Sequence, residues 1–276
     1  MKNNQPIGVF DSGIGGMTII PYLLKHLPNE RLIYFGDTAR TPYGSKSIST
    51  IKKFTEEIVE FLLEKQVKMI AIACNTVTAT CLPDLQNKYP DIPIVGVIEP
   101  AVKKLISSAP ESARVGIIGT RVTIANKAYS SIIKKYNSKL CVYEKACPLF
   151  VPLIEEGLAE SEIANLTVRH YLNELQDKID YLILGCTHYP LLNKFISGTL
   201  PGVKIINPSE EMVYGIEEAL VKNELLASEP GIDNIVYVSD LFNNTMVNNM
   251  IEHVFQERVR IGLKNFDLFL EESPHF

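Results

Sequence analysis

Two cysteines, Cys74 and Cys186, occupy similar settings in the sequence. Each follows a short apolar run and precedes polar residues, in Ala-Cys-Asn-Thr and Gly-Cys-Thr-His. Hydroxyl, amide and imidazole neighbours supply hydrogen-bond partners, and backbone amides at a helix start favour the thiolate, the reactive form of cysteine. Either cysteine alone is as well explained by a small buried side chain. The shared setting favours a functional pair of activated thiols.

Asp11 stands in the glycine-rich segment Phe-Asp-Ser-Gly-Ile-Gly-Gly, directly after the first apolar run. Glycines at this place allow a tight turn and a close approach of the backbone to a ligand, such as a carboxylate or phosphate group. The segment is not GxGxxG and lacks the lysine of a P-loop, so dinucleotide binding is a weak interpretation. An ordinary strand-to-helix turn is the structural alternative.

Three further segments carry polar groups. The turn at 41–45, Thr-Pro-Tyr-Gly-Ser, presents a phenol, hydroxyls and backbone amides, which suits a small-ligand clamp or an ordinary loop. Glu155 and Glu156 follow an apolar run with two prolines, and paired glutamates are most often solvated. His188 lies two residues beyond Cys186, where it can assist proton transfer or serve a structural purpose.

The elements that position these residues follow from hydrophobic patterning. Short apolar runs without polar alternation indicate strands buried on both faces, and their alternation with amphipathic segments indicates parallel sheets layered with helices. The predicted strands cover 7–10, 32–35, 69–73, 94–97, 115–118, 140–143, 181–184 and 203–206, and the clearest predicted helices cover 47–65, 123–136 and 161–176.

The sequence also repeats itself. IGVFDSG at Ile7 is echoed by VGIIGT at Val115, an offset of 115 − 7 = 108, and the two cysteine segments are offset by 186 − 74 = 112. Two similar α/β halves explain both offsets. Each cysteine then lies at the carboxyl end of a parallel strand, where open α/β sheets bind ligands. Facing halves bring Cys74 and Cys186 to opposite sides of one ligand.

The predicted fold class is therefore α/β, with two similar domains related by a pseudo-two-fold axis and the active site between them. Each domain is expected to be a mostly parallel sheet flanked by helices. The first domain is predicted to contain residues 1–98 and 208–276, and the second residues 99–207. The first carries Asp11 and Cys74, and the second carries Glu155, Cys186 and His188.

Composition narrows the function. The chain has 276 residues, is 46% hydrophobic and carries a formal net charge of −5, which argues against a nucleic-acid partner. Neither a leader-like succession nor a membrane-length apolar run occurs, so we expect a cytoplasmic protein without a membrane partner. Five scattered cysteines without CxxC pairs indicate reduced thiols. Cys81, Cys141 and Cys147 are interpreted as packing residues, and a zinc site is not expected.

Six segments together resemble the glutamate racemases of the aspartate/glutamate racemase superfamily. The likeness runs in family order from Ile7 to about Ser209. The segments are Phe-Asp-Ser-Gly-Ile-Gly-Gly, Gly-Asp-Thr-Ala-Arg-Thr-Pro-Tyr-Gly, Ala-Cys-Asn-Thr, Gly-Val-Ile-Glu-Pro, Cys-Pro-Leu-Phe-Val-Pro-Leu-Ile-Glu-Glu-Gly and Leu-Gly-Cys-Thr-His-Tyr-Pro-Leu-Leu.

The resemblance implies a racemisation of glutamate by paired acid and base cysteines, Cys74 acting on the D-enantiomer and Cys186 on the L-enantiomer. It implies that Asp11, Glu155 and His188 assist them. It also implies a homodimer that needs neither pyridoxal phosphate nor a metal and supplies D-glutamate for peptidoglycan. The implied substrate contacts are Asp11, Ser12, Tyr43, Gly44, Asn75, Thr76, Thr187 and His188.

Three alternatives remain open at the level of sequence. The same cysteine pair can serve a racemase of aspartate or of another amino acid. A two-lobed binding protein for an acidic metabolite would use the cysteines only as wall residues, and would bind without exchanging the α-proton. A nucleotide-binding regulator is the third alternative, and the missing phosphate loop argues against it.

Overall fold

Two parallel sheets organise the chain. The computed structural model describes residues 2–231, 234–240 and 259–264. The first sheet contains β1 (Ile7–Asp11), β2 (Leu32–Gly36), β3 (Met69–Ile72), β4 (Ile94–Gly96), β9 (Asn234–Val238) and β10 (Val259–Leu263). The second contains β5 (Arg114–Gly119), β6 (Cys141–Ala146), β7 (Tyr181–Gly185) and β8 (Lys204–Ile206).

Helices connect the successive strands from β1 to β9, as parallel pairing requires. They are α1 (Ile20–His26), α2 (Ile48–Glu64), α3 (Asn75–Lys88), α4 (Ile98–Ser108), α5 (Arg121–Asn126), α6 (Ala128–Tyr136), α7 (Phe150–Glu155), α8 (Glu162–Leu172), α9 (Asn193–Thr199) and α10 (Pro208–Lys222). Short 3-10 turns occur at Lys2–Asn4, Gly15–Ile19, Tyr43–Ser45, Asn173–Leu175 and Tyr189–Leu192. Within the described ranges no helix combines the length and apolarity needed to cross a membrane.

The two sheets share one strand order. In the first, β2-β1-β3-β4 lie side by side, and in the second the order is β6-β5-β7-β8. The second strand of each half thus pairs beside the first, and the third and fourth follow on the other side. Strands β9 and β10 extend the first sheet beyond β2. This common topology explains the repeat offsets of the sequence.

The core joins the two halves. One apolar cluster includes side chains of both sheets, among them Val9 and Ile117, together with Val102 of α4 and Ile216 of α10. Every residue of β1, β2 and β7 is buried. This burial on both faces accounts for the continuous apolar runs in the sequence.

Some sequence-based expectations differ from the structure. The helix predicted over 123–136 is broken at Lys127, whose φ of 57° ends α5 before α6 begins. Strand β6 is only partly buried because it lies at the edge of its sheet, so the prediction of burial on both faces is wrong there. Cys141 on β6 is exposed and is not a packing residue, whereas Cys81 and Cys147 are buried as expected.

A buried ion pair fastens the amino-terminal end of the first sheet. Lys68, which precedes β3, is fully buried with its Nζ 2.5 Å from Glu30 Oε2. The ammonium also donates to the carbonyl oxygens of Asn3 at 2.6 Å and Leu225 at 2.8 Å. One cation therefore ties together the start of the chain, the segment before β2 and the segment after α10.

Replacing Lys68 by methionine should lower the free energy of unfolding by about 3 kcal/mol or more, because Glu30 is left buried without its cation. Urea denaturation measures this loss. Lys52→Met is the matched control, since Lys52 pairs with Asp84 at 2.6 Å on the surface and should change stability by less than about 1 kcal/mol. Equal losses of stability in the two variants would contradict the structural role of the buried Lys68–Glu30 ion pair.

Candidate active site

The carboxyl ends of β3 and β7 bring Cys74 and Cys186 into the wall of one cavity. Cys74 stands between the end of β3 and the start of α3, and Cys186 follows β7 directly. Both are buried. The free space is about 20 Å³, room for about one water molecule, so an amino acid fits only when the walls move apart. The lining consists of Ser12, Thr41, Pro42, Tyr43, Gly44, Cys74, Asn75, Thr76, Thr120, Val151, Cys186, Thr187 and His188.

Asp11 lies behind this wall, fully buried at the end of β1. Its Oδ2 accepts hydrogen bonds from the Gly16 amide at 2.8 Å and from Thr187 Oγ1 at 3.2 Å. Among the described residues its Oδ1 has no hydrogen-bond partner. Burial raises the pKa of the carboxyl group, although His188 and the two hydrogen bonds act against that rise. Asp11 thus links the halves and keeps one oxygen available.

His188 connects Cys186 to Glu155. Its Nδ1 lies 3.9 Å from Cys186 Sγ, and its Nε2 lies 3.3 Å from Glu155 Oε1. The same glutamate oxygen accepts from Thr41 Oγ1 at 3.2 Å, in the other half. Burial lowers the pKa of His188, but Cys186 and Glu155 outweigh it and raise the pKa to about 10. The ring is therefore an imidazolium near neutral pH.

Cys74 has different surroundings. Its thiol donates to Ser12 Oγ at 3.5 Å. Burial and the nearby charge of Asp11 raise its pKa, and the hydrogen bonds with the Ser12 hydroxyl and the Val77 amide, which act to lower it, are too weak to compensate. The expectation that the helix start favours a thiolate is wrong for Cys74, because desolvation is the larger effect. Cys74 is a neutral thiol in this arrangement.

A network centred on Asp37 holds the turn at 41–45, and sequence reasoning assigned it no role. The hydroxyl of Tyr43 donates to Asp37, Arg40 Nε donates to it at 2.8 Å, and Ser239 Oγ donates at 2.7 Å. Arg40 also pairs with Glu57. Since Asp37 is fully buried, this network fixes the side chain of Tyr43, a residue of the cavity wall.

Four lining residues, Thr41, Pro42, Thr120 and Val151, were not among the predicted site residues, although the first two lie in the turn at 41–45 that was considered as a ligand clamp. Thr120 Oγ1 lies 3.0 Å from Thr76 Oγ1, across the two halves. The repeat contained its signal, because adding the first offset to Ser12 gives 12 + 108 = 120. Val151 carries no such signal, being one apolar residue in an apolar run.

Glycines allow the halves to meet at the cavity. A Cβ at Gly44 would lie 2.4 Å from the Cβ of Thr120, and one at Gly15 would lie 2.6 Å from His188 Nδ1. Both distances are far below van der Waals contact. The glycine-rich segment after β1 was expected to approach a ligand, and at Gly15 it approaches the turn of the second half instead.

Comparison with known proteins identifies the family. The sequence profile of the Asp/Glu/Hydantoin racemase family matches residues 18–214. A glutamate racemase from Geobacter metallireducens is 46% identical over 241 residues, which cover 86% of this chain and 88% of that protein. The chain belongs to the glutamate racemase family. It is accordingly an isomerase of the amino-acid racemase class.

Solved structures of the family share its fold. The glutamate racemase from Francisella tularensis, in complex with D-glutamate, has a TM-score of 0.87 and 40% sequence identity, covering 96% of this chain and 98% of that one. A glutamate racemase isoform from Bacillus anthracis has a TM-score of 0.89 and 31% identity, with the same coverage of both chains. The family fold thus extends over nearly the whole enzyme.

Replacing Gly44 by alanine should lower kcat/KM for L-glutamate about tenfold or more, because the added methyl group forces Thr120 away and overpacking of this kind costs about 1–3 kcal/mol. Circular dichroism follows the racemisation. The control is Gly198→Ala on α9, where a Cβ meets nothing within 4 Å. Equal activity in the two variants would show that the close approach is not required.

The raised pKa of His188 predicts a pH-dependent contribution to stability. A group whose pKa is raised on folding stabilises fully below its ordinary value of 6.5, and that stabilisation disappears as pH rises towards the folded value of about 10. The stability difference between the wild type and His188→Gln should therefore shrink by at least about 1.4 kcal/mol between pH 6 and pH 10. Urea denaturation across this range measures it, and a constant difference would contradict the imidazolium.

Proposed function

We propose that the chain interconverts L- and D-glutamate by a two-base mechanism in which Cys74 and Cys186 act on opposite faces of the α-carbon. The observation that carries the proposal is the position of the two buried cysteines, which come from different halves and line one cavity. The relatives named glutamate racemase, one of them solved with D-glutamate, support the choice of substrate.

The electrostatics suit the conversion of L-glutamate. The imidazolium of His188 favours negative charge on the Cys186 sulfur, so Cys186 removes the α-proton as a thiolate. Cys74, a neutral thiol, then delivers its proton to the opposite face of the planar carbanion, which inverts the configuration. Cys186 ends as a thiol and Cys74 as a thiolate, which is the state required for D-glutamate.

Three residues assist these transfers. Glu155 and His188 together form the charged partner of Cys186. Asp11 raises the pKa of Cys74 and so favours its acid form. When the free enzyme returns to its starting protonation state, or prepares for D-glutamate, Cys74 and Cys186 exchange their protonation states. The partner-free Oδ1 of Asp11 is the buried oxygen suited to carry a proton at the Cys74 side.

The negative charge of the carbanion requires donors held ready in a dry space. The start of α3 places backbone amides and the positive end of the helix dipole beside Cys74. Side-chain donors on both halves complete the surroundings of the substrate. The proposed substrate contacts are Asp11, Ser12, Tyr43, Gly44, Asn75, Thr76, Thr187 and His188.

We also propose the domain boundaries, the oligomeric state, the location and the cellular role of the enzyme. The chain crosses from the first sheet to the second after β4 and returns after β8, which supports domains of 1–98 with 208–276 and of 99–207. Residues 1, 232–233, 241–258 and 265–276 of the first domain lie outside the described residues. The family resemblance supports a cytoplasmic homodimer that needs neither pyridoxal phosphate nor a metal and makes D-glutamate for peptidoglycan.

Replacing either Cys74 or Cys186 by serine should reduce racemisation of both enantiomers by about 100-fold or more, since each direction needs both groups. Circular dichroism measures the rate, and mass spectrometry follows uptake of deuterium at the α-carbon. Cys141→Ser on the exposed edge strand is the control and should retain activity.

The same assays separate the alternatives. An aspartate racemase would turn over aspartate faster than glutamate. A binding protein would take up either acid without exchanging the α-proton in deuterated water. Full racemisation of glutamate by Cys74→Ser or Cys186→Ser would refute the two-base mechanism.

A further inference from the structure

Tyr129 contacts a residue beside each of the two cysteines, Cys74 and Cys186. It lies near the start of α6, in the second half, and is almost completely buried. Its hydroxyl is 2.6 Å from Oδ1 of Asn75, the residue after Cys74. Its ring packs on Gly185, the residue before Cys186, where an added Cβ would be 3.3 Å from Tyr129 Cε2. One side chain therefore contacts the backbone turn of one cysteine and the neighbour of the other.

The contact with Asn75 determines which end of the amide faces the cavity. A side-chain amide has an acceptor oxygen and a donor NH₂ group, and its two orientations differ little in shape. Burial raises the pKa of Tyr129 well above its ordinary value, so its hydroxyl keeps a proton to donate. With Oδ1 engaged by Tyr129, the NH₂ group of Asn75 is the end left for the cavity that Asn75 lines.

A donor is what the substrate requires there. Ionised carboxylates only accept hydrogen bonds, so an amide oxygen turned towards glutamate would repel it and an NH₂ group would bind it. Other buried tyrosines in the structure have a simpler partner. Tyr34 and Tyr181 donate to the backbone carbonyls of Gly13 and Ser108, which have no alternative orientation to select.

We infer that Tyr129 is a positioning residue of the reaction: reaching across from the second half, its hydroxyl holds the Asn75 amide with NH₂ towards a carboxylate group of the substrate. Because the bond joins the two halves, the donor is oriented only when the halves are closed. This inference rests on the proposed function and adds to it a residue that does not line the cavity.

The test compares Tyr129→Phe with Tyr181→Phe, which removes the hydroxyl of another buried tyrosine, at the start of β7, the end of the strand away from Cys186. Tyr129→Phe should lower kcat/KM for both enantiomers about tenfold, mainly through KM, because the carboxylate is held in the bound substrate and in the transition state alike. Tyr181→Phe should change kcat/KM less than about twofold. Thermal denaturation checks that the two variants lose similar stability.

A double-mutant cycle that combines Tyr129→Phe with Asn75→Ala decides whether Tyr129 acts through Asn75. If Tyr129 acts through the amide, adding Tyr129→Phe to Asn75→Ala should lower kcat/KM by less than about twofold more. Fold losses that multiply in the double variant, or equal activity of Tyr129→Phe and Tyr181→Phe, would overturn the inference. A wild-type chain that does not racemise glutamate would instead refute the proposed function.

A measurement on the wild type covers the case in which Tyr129→Phe does not fold. The side-chain NH₂ resonances of Asn75, assigned by their absence in Asn75→Ala, should shift when D-glutamate is added to ¹⁵N-labelled enzyme. Unchanged resonances at saturating glutamate would overturn the proposed orientation.

Discussion

In the proposed mechanism a carbanion forms between two sulfur atoms and has to be shielded from water on all sides, and this constraint bears on how the two halves meet. Across the boundary at the cavity, Thr187 and Thr41 donate to the carboxyl groups of Asp11 and Glu155. Other contacts there are small and neutral: Gly44 against Thr120, and the hydroxyls of Thr76 and Thr120 at 3.0 Å. The neutral contacts exclude water without adding charge, and each is weak enough to break when substrate passes. The larger apolar cluster behind the cavity keeps the halves associated.

Much of this architecture could be predicted from local signals. Eight strands were predicted from continuous apolar runs, which reflect burial on both faces in the central strands but not in the edge strands β6 and β8, and the two offsets of the repeat predicted facing cysteines. Strands β9 and β10 were not predicted: β9 contains a short apolar run at 235–238, which was overlooked, and β10 has no such run because Arg260 and Gly262 interrupt it. The contributions of Asp37 and Tyr129 to the site could not be predicted. Their hydrogen-bond partners Ser239 and Asn75 are distant from them in sequence, and no spacing rule links them.

Duplication gave the halves one topology but not one chemistry. The second offset relates His188 to Thr76, since 188 − 112 = 76, and the first relates Asp11 to Gly119, since 11 + 108 = 119. The cation beside Cys186 thus has a neutral hydroxyl as its counterpart, and the carboxylate beside Cys74 has no side chain as its counterpart. Equivalent backbone positions therefore place a carboxyl group that raises the thiol pKa near Cys74 and an imidazole, itself close to Glu155, near Cys186.

This inequality of the two sides has a thermodynamic limit. Mirror-image amino acids have identical free energies in water, so the equilibrium constant between them is one whatever the protein does. The specificity constants of forward and reverse turnover must consequently be equal. The different neighbours of Cys74 and Cys186 can give one enantiomer a lower KM and a proportionally lower kcat. The ratio kcat/KM nevertheless stays the same for the two enantiomers.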